Sequence, residues 1–247
     1  MIFHTLNKDL THCIPQLTIN GNIIERVNNF NFLGILFNEH MSWKNHLDKI
    51  SNKLSQISGV LNRVKNILPA HIMRTLYFSM AHAHLNYGIL VWGFECSRIS
   101  RIQKKIIRNI TRAKYNAHTG PLFKAMNILT VEDMFNLNAL KFYHNHSNGK
   151  LPYYFNSLQF TPLSEMHSLD TRFSSHIRGN YTRLVLAQKC IRNYISKLIY
   201  KTPQFIISKV STHSLRGFST YIKKYYISIY KELCIIENCY ICGRSNT

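Results

Sequence analysis

Six apolar residues, Leu47, Ile50, Leu54, Ile57, Leu61 and Val64, recur at intervals of 3, 4, 3, 4 and 3. That alternation keeps all six on one face of a 3.6-residue helix, whereas a strand's two-residue period would scatter them over both faces. A helix of about twenty residues with one apolar stripe is marginal alone in water, so the chain must supply other elements to cover it. Ser42 stands where an N-cap belongs, and Gly59 weakens the helix interior by about 1 kcal/mol.

Partners for the stripe follow along the chain. Pro69, at a favoured first-turn position, opens a second helix running to Leu85 with Ile72, Leu76 and Met80. The run YGILVWGF (residues 87–94) reads as a buried segment. A third helix is predicted over residues 97–114, with Ile99, Ile102, Ile106 and Ile110 on one side. A fourth starts near Thr130, where Glu132 and Asp133 suit the positive end of the helix dipole, and runs to His146. Beyond Gly149, Ser, Pro and Gly mark a linker. Two more amphipathic segments follow, over 184–199 and over 214–233, the latter with Phe218, Ile222, Tyr225, Ile229 and Leu233.

Ahead of these helices, Asn20-Gly21 lies between β-prone runs, a strong hairpin signal because both turn residues must adopt positive φ. Residues 30–37 read as a third short strand containing Gly34. The expected fold is mainly α: a short N-terminal β-hairpin and strand segment, a helical bundle, and a less regular helical C-terminal region.

Charge narrows the partner. The 247 residues carry 31 Lys and Arg against 11 Asp and Glu, a net charge of +20. Such a field favours polyanions, nucleic acid first and an anionic membrane surface second. From Cys96 to Val131 there is no acidic residue, and the third helix bears Arg98, Arg101, Lys104, Lys105, Arg108, Arg112 and Lys114. A face of one sign repels itself unless a polyanion neutralises it, so these seven are the candidate nucleic-acid contacts. The plain alternative is a solvated basic face.

Other chemistry finds little support. The acids are scattered, and metal-assisted phosphoryl transfer needs converging carboxylates; no catalytic residue and no metal ligand is expected. His82 and His84 are two residues apart, as are His144 and His146, so neither pair chelates from one helix face. Cys234, Cys239 and Cys242 cluster near the C-terminus, but no fourth zinc ligand follows them, and free thiols are expected. Sparse cysteines fit a reducing, intracellular compartment, nuclear or cytoplasmic. No signal peptide or membrane span is visible, and no cofactor is expected in this chain.

Five blocks then carry a resemblance: NFNFLGILFNEHMSWKNHLDKIS, NRVKNILP, LYFSMAHAHLNYGILVWG, RIQKKIIRNI and TGPLFKAMNILTVEDMFNLNALKFYH. In order and spacing they resemble the C-terminal region of the reverse transcriptases of non-LTR retrotransposons, RNA-directed DNA polymerases of the jockey-like group. Residues 160–230 are similar to the same family's tail. The resemblance implies that residues 1–40 end a palm subdomain, that Phe32-Leu33-Gly34 matches its primer grip, that residues 41–150 form a thumb, and that 151–247 form a distal region. The family's catalytic aspartates and their Mg²⁺ belong to the palm, and nothing here matches them. One departure is local: Ala83-His84-Leu85 stands where the family has Pro-His-Leu, which implies a straighter helix end. The expected function is gripping a template–primer duplex, RNA–DNA or otherwise, with no polymerase activity of this chain alone. The alternatives are a self-standing basic helical nucleic-acid-binding protein and a decayed remnant.

Overall fold

The structure is a computed structural model that describes residues 1–5, 17–158, 160, 177, 183 and 185–230. Two antiparallel hairpins come first. β1 (Thr18–Ile19) pairs with β2 (Asn22–Ile23) across Asn20-Gly21, whose φ values are 51° and 80°. β3 (Asn29–Phe32) pairs with β4 (Ile35–Asn38), with Phe32 opposite Ile35. The expected single strand over 30–37 is therefore a second hairpin. Leu33 (φ 48°) and Gly34 (φ 82°) reverse the chain where continuous β pairing was expected.

α1 (Lys44–Val64) buries Leu47, Ile50, Leu54, Ile57 and Leu61, as the spacing predicts. It starts one residue later than Ser42 capping implies, with buried Trp43 at the cap position and edge-on to Phe37 at 5.5 Å. Its main partner is α5 (Ser97–Thr111). Arg98 meets Asp48, Asn109 Nδ2 donates to Ser58 O at 3.1 Å, and Arg112 Nε donates to Lys65 O at 2.7 Å. These contacts advance together along both helices, so α1 and α5 run parallel. α5 ends at Thr111, three residues short of the expected end, because Arg112 turns left-handed (φ 55°) and its N–H closes onto Arg108 O and Asn109 O.

Between them, α2 (Ala70–Leu76), a wide π turn (Tyr77–His82) and α3 (Ala83–Asn86) form one unbroken helical run. Its buried row is Met73, Tyr77, Ala81 and Leu85, and Ile72, expected inward, is exposed. The physical reason is the π turn. A four-residue step in an α-helix overshoots a full turn by about 40°, so four such residues would spiral off the interface. One wider turn removes that drift. With Ala83 in place of proline the helix passes through this point unbroken.

α4 (Ile89–Trp92) and a 3₁₀ turn (Gly93–Glu95) place Trp92 in the core. α6 (Gly120–Met126) was not expected, and it opens with Pro121 in its first turn. α7 (Val131–Ser147) follows, its Thr130 Oγ1 accepting from Asp133 N at 3.2 Å. The predicted helix over 184–199 is broken into α8 (Val185–Gln188) and α9 (Ile191–Lys201) by extended Cys190, and Asn193 Nδ2 caps the break by donating to Ala187 O at 2.7 Å. α10 (Gln204–Ile207) and α11 (Lys209–Thr212) lead to α12 (Leu215–Ser228), which buries Phe218, Ile222 and Tyr226 in place of Tyr225. Ile229 is exposed, and Leu233 lies outside the described residues, as do Cys234, Cys239 and Cys242.

One cluster of buried side chains extends from Trp43 to Tyr226, with α7 packed on α4, α5, α9 and α12. Among the described residues, no helix is long and apolar enough to cross a membrane. Cys96 and Cys190 are free thiols, and burial pushes the Cys96 thiol up to about 11.

Two glycines separate packing from propensity. A Cβ at Gly93 would sit 2.6 Å from Phe135 Cδ2, so Gly93→Ala should cost about 1–3 kcal/mol through overpacking. A Cβ at Gly59, inside α1, meets nothing within 4 Å, so Gly59→Ala should gain about 0.5–1 kcal/mol. Urea midpoints at constant slope read both changes.

Candidate nucleic-acid interface

Arg98, Arg101, Lys105, Arg108 and Arg112 are spaced 3, 4, 3 and 4, so they lie in one row on and just past α5. The fold uses three of the five internally. Arg98 is paired with Asp48, the one acidic residue on α1 and α5. Arg112 donates to Lys65 O at 2.7 Å and to Leu68 O at 2.8 Å, which satisfies carbonyls just past α1's end. Arg108 Nε donates to Ala117 O at 2.9 Å, and its burial works against its charge. Arg101 and Lys105, with Lys104 on the adjoining flank, are exposed and make no hydrogen bond or ion pair with any described residue. Lys114, expected on the helix, is exposed beyond its end.

Beside this row runs a groove of about 520 Å³ between α1 and α5. Ser55, Ser58, Gly59 and Asn62 line one wall, and Lys105, Arg108 and Asn109 the other. Lys65 and Tyr115 close its end, and Tyr115 is 89% exposed. Small polar residues, cations and one open aromatic face are the groups that meet sugar–phosphate backbone and a stacked base.

A second cleft, about 440 Å³, lies where the β3–β4 turn meets α1 and the end of α3. Gly34, His46, Lys49, Lys53, Gln56 and Tyr87 line it. The turn itself is strained. A type I′ turn needs positive φ at both central residues, which Asn20-Gly21 meets ordinarily, but the second hairpin puts Leu33 there. A leucine in the left-handed region costs about 1–2 kcal/mol, and this one is 73% exposed, so no burial repays it locally. Tyr87 holds the turn by donating its hydroxyl to Leu33 O. A Cβ at Gly34 would touch the hydroxyl end of the Tyr87 ring at 3.4 Å, so the backbone passes close against it. The strained turn therefore stands exposed, held by a tyrosine, at the mouth of a cleft lined by Lys49 and Lys53.

His46 braces the same place. It is buried, and its Nδ1 accepts from Leu36 N at 3.3 Å, which assigns the ring's proton to Nε2. Burial, aided by the charge of Lys49, lowers its pKa.

α1 thus walls both concavities, with Lys49 and Lys53 in one and Lys65 in the other. Its 21 residues span about 31 Å, which sets the length of the basic track. Sequence reasoning pointed to Arg101, Lys104, Lys105 and Phe32-Leu33-Gly34 and did not single out Lys49, Lys53, Tyr87 or Tyr115, which line the same two concavities or hold the turn. The exposed flank of the 3-4 stripe was a signal for the lysines. Nothing local marks Tyr87 as the clamp, because Leu33 lies 54 positions away.

With this geometry in place, comparison with known proteins supports a relationship to the reverse transcriptases of transposons. The similarity is to the probable RNA-directed DNA polymerase from transposon BS of Drosophila melanogaster, 23% identical over 143 residues. The match covers 55% of this chain and 16% of that protein's length. No family model matches, and no solved structure matches.

Two outcomes are expected. Leu33→Asn should stabilise the chain by about 1 kcal/mol in urea unfolding, because asparagine tolerates the left-handed region. His46 has an ordinary value near 6.5 and a lower one when folded, so the unfolded chain binds its proton first as pH falls. Its contribution is present above about pH 6.5 and is lost as pH falls towards the folded value. His46→Gln, which keeps an acceptor but takes no proton, should flatten part of the stability loss between pH 7.5 and 5.5.

Proposed function

We propose that this chain is the nucleic-acid-gripping part of a non-LTR, jockey-like reverse transcriptase. Residues 1–40 end its palm, residues 41–150 form its thumb, and residues 151–247 form a distal region. The chain holds the backbone of a template–primer duplex without reading its sequence, and the Mg²⁺-dependent chemistry belongs to aspartates outside this chain. The observation that carries this reading is the α1–α5 face. Arg101, Lys104 and Lys105 stand exposed and unpaired among the described residues, and the single acid on these helices is already taken by Arg98. Phosphates supply the missing counter-charge.

The hairpins lend support. Ile19, Ile23, Phe30, Phe32 and Leu33 are all exposed, and an apolar set of this kind fits a surface covered by the rest of a polymerase. The unbroken core from Trp43 to Tyr226 favours a second reading, a self-standing nucleic-acid-binding protein.

The test is fluorescence anisotropy with labelled RNA–DNA and DNA duplexes of unrelated sequences. Affinity should be similar across sequences and fall steeply between about 50 and 200 mM salt. Arg101→Ala, Lys104→Ala and Lys105→Ala combined should lower affinity at low salt and shrink the log–log salt slope by up to about 0.9 per lost contact, with an unchanged urea midpoint. Arg108 and Arg112 are unsuitable targets because they hold carbonyls of the fold. A flat salt response, or a triple variant that binds like the parent, would falsify the reading. Nucleotide addition by this chain alone with Mg²⁺ would reject the assignment of catalysis elsewhere.

A further inference from the structure

We propose that His4, Glu39 and His40 form a binding site for a divalent transition metal, with zinc the ion that fits it best. The donor atoms of the three side chains lie within 4.8 Å of one another. Neither the α1–α5 face nor any relationship to a polymerase enters the argument.

The tautomers come first. His4 Nδ1 lies 3.0 Å from Thr5 O, and His40 Nδ1 lies 3.2 Å from His4 O. A carbonyl only accepts, so each Nδ1 carries a hydrogen, and each neutral ring keeps its lone pair on Nε2. Both Nε2 atoms turn toward one carboxylate: His4 Nε2 is 3.4 Å from Glu39 Oε2, and His40 Nε2 is 3.7 Å from Glu39 Oε1. His4 Nε2 is buried and has no hydrogen-bond partner. Two lone pairs facing a carboxylate are unfavourable without a cation or a proton between them.

The spacing is compatible with a metal. Tetrahedral zinc with bonds of about 2.0–2.1 Å holds its ligands about 3.3–3.4 Å apart; His4 Nε2 stands at that separation from Oε2, and His40 Nε2 lies slightly farther from Oε1. Imidazole nitrogens with a carboxylate oxygen are a ligand set that zinc accepts, and Nδ1–H donated to a carbonyl is the usual outer support of a ligating histidine. Arg26 provides the same support for the carboxylate by donating to Oε2 at 3.1 Å. Its positive charge opposes a second cation and limits the affinity.

Burial works against a charge on Glu39. The bond and charge of Arg26 help to outweigh it, so the carboxyl is held below its ordinary range. The backbone is fixed as well, with His4 N donating to Glu39 O at 2.9 Å and Glu39 N to Asn28 O at 3.0 Å. An ion here would tie residues 1–5 to the segment joining β4 to α1.

The test uses the full chain with Cys234→Ser, Cys239→Ser and Cys242→Ser, so that tail thiols cannot supply the ion's ligands. Zinc is titrated against a chromophoric chelator, and melting is followed with and without zinc. One equivalent should bind and raise the melting temperature. His4→Gln and His40→Gln should each weaken binding by at least the ~10–100-fold typical of losing an outer-shell partner, with an unchanged circular dichroism spectrum. Glu39→Gln, which preserves shape and a carbonyl for Arg26, should also weaken it. His71→Gln, on the exposed side of α2, should have no effect. Absence of zinc uptake by the cysteine-free-tail chain overturns the proposal. So does a tight equivalent that survives in the His4→Gln, His40→Gln double variant.

Discussion

Gln103 is the interaction on which the arrangement of helices depends. It sits fully buried at the middle of α5, on the side opposite the exposed cations. Its Nε2 donates to Tyr77 Oη at 2.8 Å and to Leu129 O at 2.9 Å, and its Oε1 accepts from Val131 N at 3.0 Å. One amide therefore ties α5 to the π turn and to the start of α7. A buried amide left unpaired would cost about 1–3 kcal/mol for each orphaned group, so the network specifies one docking of these three elements. Burial raises the pKa of Tyr77 well above its ordinary value, which keeps the hydroxyl neutral and able to accept Gln103.

With α5 held from inside, its outer face is left to electrostatics. The helix has no acid of its own, and α1 contributes only Asp48. Ion pairing then satisfies Arg98, and carbonyls beyond α1 and α5 satisfy Arg108 and Arg112. What remains is a compact set of unopposed charges beside a groove. The strained Leu33-Gly34 turn occupies the other end of α1, where Tyr87 and His46 hold it. Both concavities share α1 as a wall, so a displacement of α1 against its neighbours on both sides alters both.

Much of this was legible in the chain. The α1 stripe, the Asn20-Gly21 turn and the Thr130 cap all depend on neighbours within four residues, and each emerged where the residues placed it. The α2 row did not, since Ile72 and Leu76 fit an ideal helix and the π turn does not follow ideal periodicity. α6 is seven residues long, too short for a periodic signal, and its end is held from elsewhere by Arg74 Nε donating to Met126 O at 2.9 Å. The second hairpin hid because Leu33 is an improbable turn residue; pairing of β3 with β4, the distant Tyr87 and His46 hold it there.

The sequence by itself determined the helical class, the basic excess and the acid-free stretch from Cys96 to Val131, because composition and short-range periodicity are local properties. Only the tertiary structure decided which cations stay unpaired, since the partners of Arg98, Arg108 and Arg112 are carbonyls and a carboxylate brought close by packing. It also decided that His4 meets Glu39 and His40 across more than thirty positions. Pair interactions of that kind depend on distance in space, which the order of residues along the chain does not contain.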